Sequence, residues 1–128
     1  MIVLKNLGKC RKGMNKMNRQ RYITVPNDYE AMQALEYGNE KPDQVTEWKL
    51  LDKEFEQLYN LGVFESLNNE CEIIIDDFES EWLEKEALSK AIKVLEKKYK
   101  SDESEVLTKL KELTCLAINN NTCVAFDF

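Results

Sequence analysis

The alternation of apolar and polar positions along the chain sorts it into short elements. Arg21-Tyr22-Ile23-Thr24-Val25 is β-branched and aromatic and is stopped by Pro26, which predicts a strand. Asn27 followed by Glu30 has the form of a capping box. Ala31, Met32 and Leu35 then give a short helical stripe that Gly38 ends. Val45, Trp48, Leu51, Phe55, Leu58 and Tyr59 recur at spacings of three and four, predicting one helix over 45–60 that stops at Gly62. Asn68–Glu70 reads as a turn and Glu72–Ile75 as a short buried strand. Leu83, Ala87, Leu88, Ala91, Ile92, Leu95 and Tyr99 predict a helix over 82–99. Its acidic start (Glu81, Glu84, Glu86) and basic end (Lys97, Lys98, Lys100) suit the helix dipole. Ser101-Asp102 breaks it, and Val106, Leu107, Leu110, Leu113 and Ala117 carry another helix to 118. Thr122–Phe128 alternates as a last strand, with Val124, Phe126 and Phe128 on one face and Cys123, Ala125 and Asp127 on the other.

Strands this few and short, among longer helices, point to an α+β fold: about four helices packed on one face of a small, mainly antiparallel sheet. Arg21–Val25 and the last strand are expected side by side. The chain's 128 residues suit one domain. Residues 1–20 differ from the rest. They are basic, without apolar period, and carry Met14 and Met17 as alternative starts, so a mobile arm is expected ahead of a single domain over 21–128.

Charge sharpens that division. The formal net charge is −6, yet residues 1–21 contain seven basic residues and no acid, leaving 11 basic residues against all 24 acids in 22–128. A body so acidic repels phosphate backbones and anionic lipid and attracts cationic partners. A basic protein is therefore the expected partner, with no nucleic acid and no membrane. The longest apolar runs have four residues, against the roughly 20 that a spanning helix needs. The apolar start is short and precedes its basic residues, unlike a secretory signal, so the cytoplasm is the expected compartment.

Histidine is absent, which removes Ser-His-Asp and Cys-His catalysis and every His-containing metal site. Cys10, Cys71, Cys115 and Cys123 form no Cys-x-x-Cys pair, and Cys115 and Cys123 are expected as packed free thiols. The four glycines are scattered and build no phosphate loop. No cofactor, metal or catalytic residue is expected, and the chain reads as a non-enzyme.

One dense constellation remains. Residues 65–86 hold nine acids against Lys85 alone. Three accounts of it are open. Asp76 and Asp77 after an apolar strand could hold a divalent cation in an enzyme. The acids could form a solvated loop and helix start. Or they could form a docking surface in which Glu72, Asp76, Asp77, Glu79 and Glu81 ring the aromatic anchors Phe78 and Trp82, as in a hot spot for a cationic partner.

The run Glu72-Ile73-Ile74-Ile75-Asp76-Asp77-Phe78-Glu79, the Glu-rich helix after it and the terminal Val124-Ala125-Phe126-Asp127-Phe128 resemble, over residues 21–128, the small bacterial immunity proteins of polymorphic-toxin and contact-dependent inhibition systems. The resemblance implies a cytoplasmic, non-enzymatic inhibitor of a cognate toxin, often a nuclease. A regulatory or scaffold module for another basic partner is the alternative.

Overall fold

The computed structural model describes residues 20–128. The basic arm expected at 1–20 thus lies, up to Arg19, outside the described residues. The elements are β1 (Arg21–Pro26), α1 (Tyr29–Glu36), a 3-10 turn (Pro42–Gln44), β2 (Val45–Leu50), α2 (Asp52–Asn60), α3 (Val63–Cys71), β3 (Ser80–Glu84), α4 (Glu86–Ser101), α5 (Glu105–Asn120) and β4 (Cys123–Asp127). The strands form one antiparallel sheet in the order β2-β1-β4-β3. The fold is α+β, and β1 and β4 are neighbours at its centre.

The register gives the sheet two unlike faces. Ile23, Trp48 and Phe126 stand opposite one another across β1, β2 and β4, and Leu83 stands opposite Val124. This inner face meets Leu58 of α2, Val63, Phe64 and Leu67 of α3, Leu88, Ala91 and Leu95 of α4, and Leu107 and Leu110 of α5 in one continuous core. Four helices therefore pack on one face, with α1 packed against β1 as a fifth. At one end of the core Phe128 sits edge-on to Phe55 at 5.2 Å between centroids and beside Phe64 at 5.4 Å, geometries that the ring quadrupoles favour.

Several local expectations are corrected. Residues 45–60 are not one helix. Trp48 and Leu50 are buried while Glu47 and Lys49 are exposed, a period of two, and the chain turns helical only at Asp52. A strand joined to a helix at Leu51 imitates helical spacing across the join. Glu54 supports the new helix by accepting from Leu51 N–H at 2.8 Å. Asn68–Glu70 lies inside α3, not in a turn. Residues 82–84 belong to β3, not to a helix: Leu83 is buried, Glu84 is exposed, and Lys85 at φ 57° separates strand from helix. Leu83 and Leu88 reach the same core from different elements. The cap of α1 is Asp28, accepting from Ala31 N–H at 2.8 Å, while Asn27 instead ties its side chain to the Asp43 carbonyl.

Glu72–Ile75 joins no strand: Glu72 is a left-handed cap, and the backbone after it is taken up largely by side chains. The Asn68 amide grips Ile75 twice, accepting from its N–H at 2.6 Å and donating to its carbonyl at 3.1 Å. Glu81 accepts from Ile74 N–H at 3.1 Å. Ile73 N–H reaches the Asn68 carbonyl at 3.3 Å.

Candidate partner-binding surface

Charge is divided unevenly among the elements. Residues 28–86, which build α1, β2, α2, α3, the 72–79 loop and β3, carry 18 acids against four lysines. Residues 87–128, chiefly α4 and α5, carry six acids against seven lysines. Residues 28–86 are therefore strongly anionic, and the α4–α5 hairpin is close to neutral.

The residues singled out from sequence take different roles within the anionic part. Glu72 ends α3 in a left-handed conformation at φ 57° and is exposed. Asp76 is exposed and accepts from Asp77 N–H at 2.8 Å. Asp77 is committed to the fold: its two oxygens accept from Nε and Nη2 of Arg21, both at 2.9 Å. Arg21 also donates to Asp52 at 3.1 Å and lies 4.0 Å above the Phe55 ring. Phe78, at φ 68°, leaves 77% of its surface exposed, and Glu79 beside it is exposed while its carbonyl accepts from Phe128 N–H. Glu81 and Trp82 point to opposite faces of β3. Glu81 stands opposite Phe126 and holds Ile74, whereas Trp82 stands opposite Ala125 on the outer face.

Among the described residues no group of three or more Cys, Asp or Glu side chains is placed to hold a metal ion. With Asp77 forked to Arg21, the Asp76-Asp77 pair is not arranged as two open carboxylates. No helix among the described residues is long and apolar enough to cross a membrane.

Two features escape a reading of the sequence. The first is a groove of about 360 Å³ between α2, α3 and the 72–76 loop. Phe64 and Ile75 line it, Tyr59 and Ile74 flank it, and Glu65 and Asp76 give it negative charge. Tyr59, whose spacing places it in the core, is 61% exposed. The second is the outer sheet face, where the register sets Tyr22 between Lys49 and Asp127, and Thr24 between Glu47 and Ala125. Partial burial, then the carboxylates of Glu40 and Asp127, raise the Glu47 carboxyl above its ordinary value. Burial, with Glu47 and Asp127, raises the Tyr22 phenol likewise. Neither feature follows a sequence period, because each joins residues from separate elements.

No protein-family model matches the chain, and no curated protein matches it. Among solved structures the fold is similar to that of the Neisseria DNA mimic protein DMP12, with a TM-score of 0.58 and 14% sequence identity over 85% of this chain and 98% of that one. The likeness is one of fold.

Proposed function

We propose that this is a non-enzymatic, cytoplasmic binding protein whose anionic half engages the cationic, nucleic-acid-binding surface of another protein. Its carboxylates would stand where phosphates would otherwise lie. The single observation that carries the proposal is the segregation of charge: 18 acids against four lysines in residues 28–86, beside a nearly balanced α4–α5 hairpin. A DNA-binding surface is evolved to meet a dense line of negative charge, about one per 1.7 Å of duplex. A rigid protein face rich in carboxylates can occupy it and exclude the nucleic acid. The similarity in fold to a protein named a DNA mimic supports this reading. The partner expected is a basic protein, and the chain itself would not bind nucleic acid.

Within that class, a cognate nuclease toxin is the partner implied by the resemblance to immunity proteins. A cationic catalytic cleft is one surface that such an inhibitor fits. A DNA-binding protein regulated without any toxin uses the same chemistry.

The test is capture from a lysate of the protein's own cells, followed by elution with short duplex DNA. Basic proteins released by the duplex, and not retained by a variant with Glu65, Asp76 and Glu79 made neutral, are the expected result. Captured proteins that duplex DNA fails to displace would overturn the proposal. Protection of cells against a toxin encoded beside the gene would specify the immunity role.

A further inference from the structure

We infer that the groove between α2, α3 and the 72–76 loop seats an arginine side chain of the cationic partner. The inference rests on the anionic-surface reading above and gives it an anchor. The groove combines two kinds of surface that one arginine needs together. Phe64 and Ile75, 4% and 3% exposed, offer an apolar floor for the three-methylene stem. Tyr59 and Ile74 stand at its sides, 61% and 62% exposed, so large apolar area is left facing solvent around a concave site. Glu65 and Asp76 bring carboxylates, and no lysine or arginine lines it among the described residues.

The walls are pre-set. The double hydrogen bond from Asn68 to Ile75 and the bond from Ile74 N–H to Glu81 hold the loop side. Phe55, whose ring lies 6.3 Å from that of Tyr59, supports the helical side. Little ordering is then left for binding to supply. Arginine fits better than lysine. Its planar, weakly hydrated guanidinium can stack on the Tyr59 ring while its fork meets carboxylates, whereas an ammonium is a strongly hydrated point charge.

The probes are hexa-arginine, hexalysine and hexacitrulline peptides, titrated into the full chain at low salt and followed by NMR. The expected result is that shifts from hexa-arginine concentrate on Tyr59, Asn68, Ile74 and Asp76. Hexa-arginine should bind at least about threefold tighter than hexalysine, and hexacitrulline should not bind. Glu65→Gln with Asp76→Asn should weaken hexa-arginine about tenfold; the amide introduced at position 76 keeps an acceptor for Asp77 N–H, so the loop is spared. Glu30→Gln with Glu36→Gln on α1 should weaken it less than about twofold.

Shifts spread over the whole anionic half, with equal losses in both double variants, would overturn the groove and leave the anionic-surface reading standing. Failure of both cationic peptides to bind would overturn the two together. Groove signals that change on dilution of the protein alone, or contacts from Arg11 or Arg19 to Tyr59, would assign the groove to a second copy or to the chain's own arm, and would overturn the proposal.

Discussion

Arg21 grips Asp77 with two parallel hydrogen bonds of 2.9 Å, joining the first residue of β1 to a loop 56 positions further on. The guanidinium is buried, rests on Phe55, and donates from its third nitrogen to Asp52. Removing it would leave two carboxylates facing each other at the edge of the core. Arg21→Ala is expected to lower stability by about 2–3 kcal/mol. That is less than a fully buried pair would lose, because Asp52 and Asp77 are partly solvated. Arg21→Lys should fall between, keeping charge but losing the fork. Urea unfolding at neutral pH checks both. A loss below about 0.5 kcal/mol for Arg21→Ala would mean the pair adds nothing to the fold.

Asn68 makes a second, more local clip. Its amide substitutes for a neighbouring strand by satisfying both backbone groups of Ile75. Asn68→Ala would leave them unpaired beside a buried side chain, at a cost of about 1–3 kcal/mol. Amide exchange should quicken at Ile73–Asp77 while the amides of β1 and β4 keep their protection. Unchanged exchange in the loop would show that the clip is not what holds it.

How far these features are legible in the sequence depends on whether one element or several make them. The two central strands and the last helix follow from local pattern, because β-branched and aromatic residues mark β1 and β4 and a helical stripe of apolar residues marks α5. Glu72–Ile75 looks like a strand because its isoleucines suit one. What pairs with it is a side chain seven residues away in sequence, and no period encodes that. Arg21 reads as the last charge of a basic arm until the fold brings Asp52 and Asp77 around it. Tyr59 reads as core, since its spacing matches that of Leu58 and Phe55; only the placement of α3 shows that it flanks a groove.

Cysteine reactivity should follow burial, not position in the sequence. The pattern of apolar positions packs both Cys115 and Cys123, yet Cys115 is exposed on α5 while Cys123 is fully buried in β4. Burial, then the Glu84 carboxylate, pushes the Cys123 thiol up to about 12. Burial, first among its causes, also raises Cys71. Alkylation mapped by mass spectrometry at about pH 8 should therefore label Cys115 first, Cys71 more slowly, and Cys123 only on unfolding. The stability that the neutral Cys123 thiol carries is complete below its ordinary value of 9.0 and is lost as pH rises towards 12. Rapid labelling of Cys123 in the native protein would contradict its burial at the start of β4.

Glu47 predicts the opposite of ordinary acid denaturation. Partial burial, with Glu40 and Asp127, raises its carboxyl in the folded state, and Glu40 Oε1 is itself buried without a hydrogen-bond partner among the described residues. The folded state then holds the Glu47 proton more tightly than the unfolded state does. Its contribution is complete below the unfolded value of 4.5 and is lost as pH rises through the folded one. Glu47→Gln should stabilise the protein at about pH 7 by less than about 1 kcal/mol, given its exposure, and should make no difference below about pH 4. Melting curves at both pH values check this. A gain that persists at low pH would have to come from something other than charge.

Charge reversal on the anionic half carries the functional claim, and the fold dictates which carboxylates can report it. Asp77 cannot, because reversing it would set a lysine against Arg21 and unfold the loop it was meant to probe. Asp76 and Glu79 are exposed, and among the described residues neither side chain is paired with a lysine or arginine. Asp76→Lys with Glu79→Lys should therefore leave circular dichroism unchanged while weakening a captured basic partner by about tenfold or more at low salt, about 1.4 kcal/mol. The loss should shrink towards about 1 M salt, where the Debye length falls to about 3 Å. For comparison, Lys97 on α4 is exposed and serves as the control. Lys98 does not, since its Nζ donates to the Leu61 carbonyl at 3.1 Å across α2 and α4. Lys97→Glu with Lys93→Glu should change affinity less than about twofold. If the acidic pair and the lysine pair shift affinity equally, the response is to net charge alone, and the 72–79 loop is a solvated face with no share in binding.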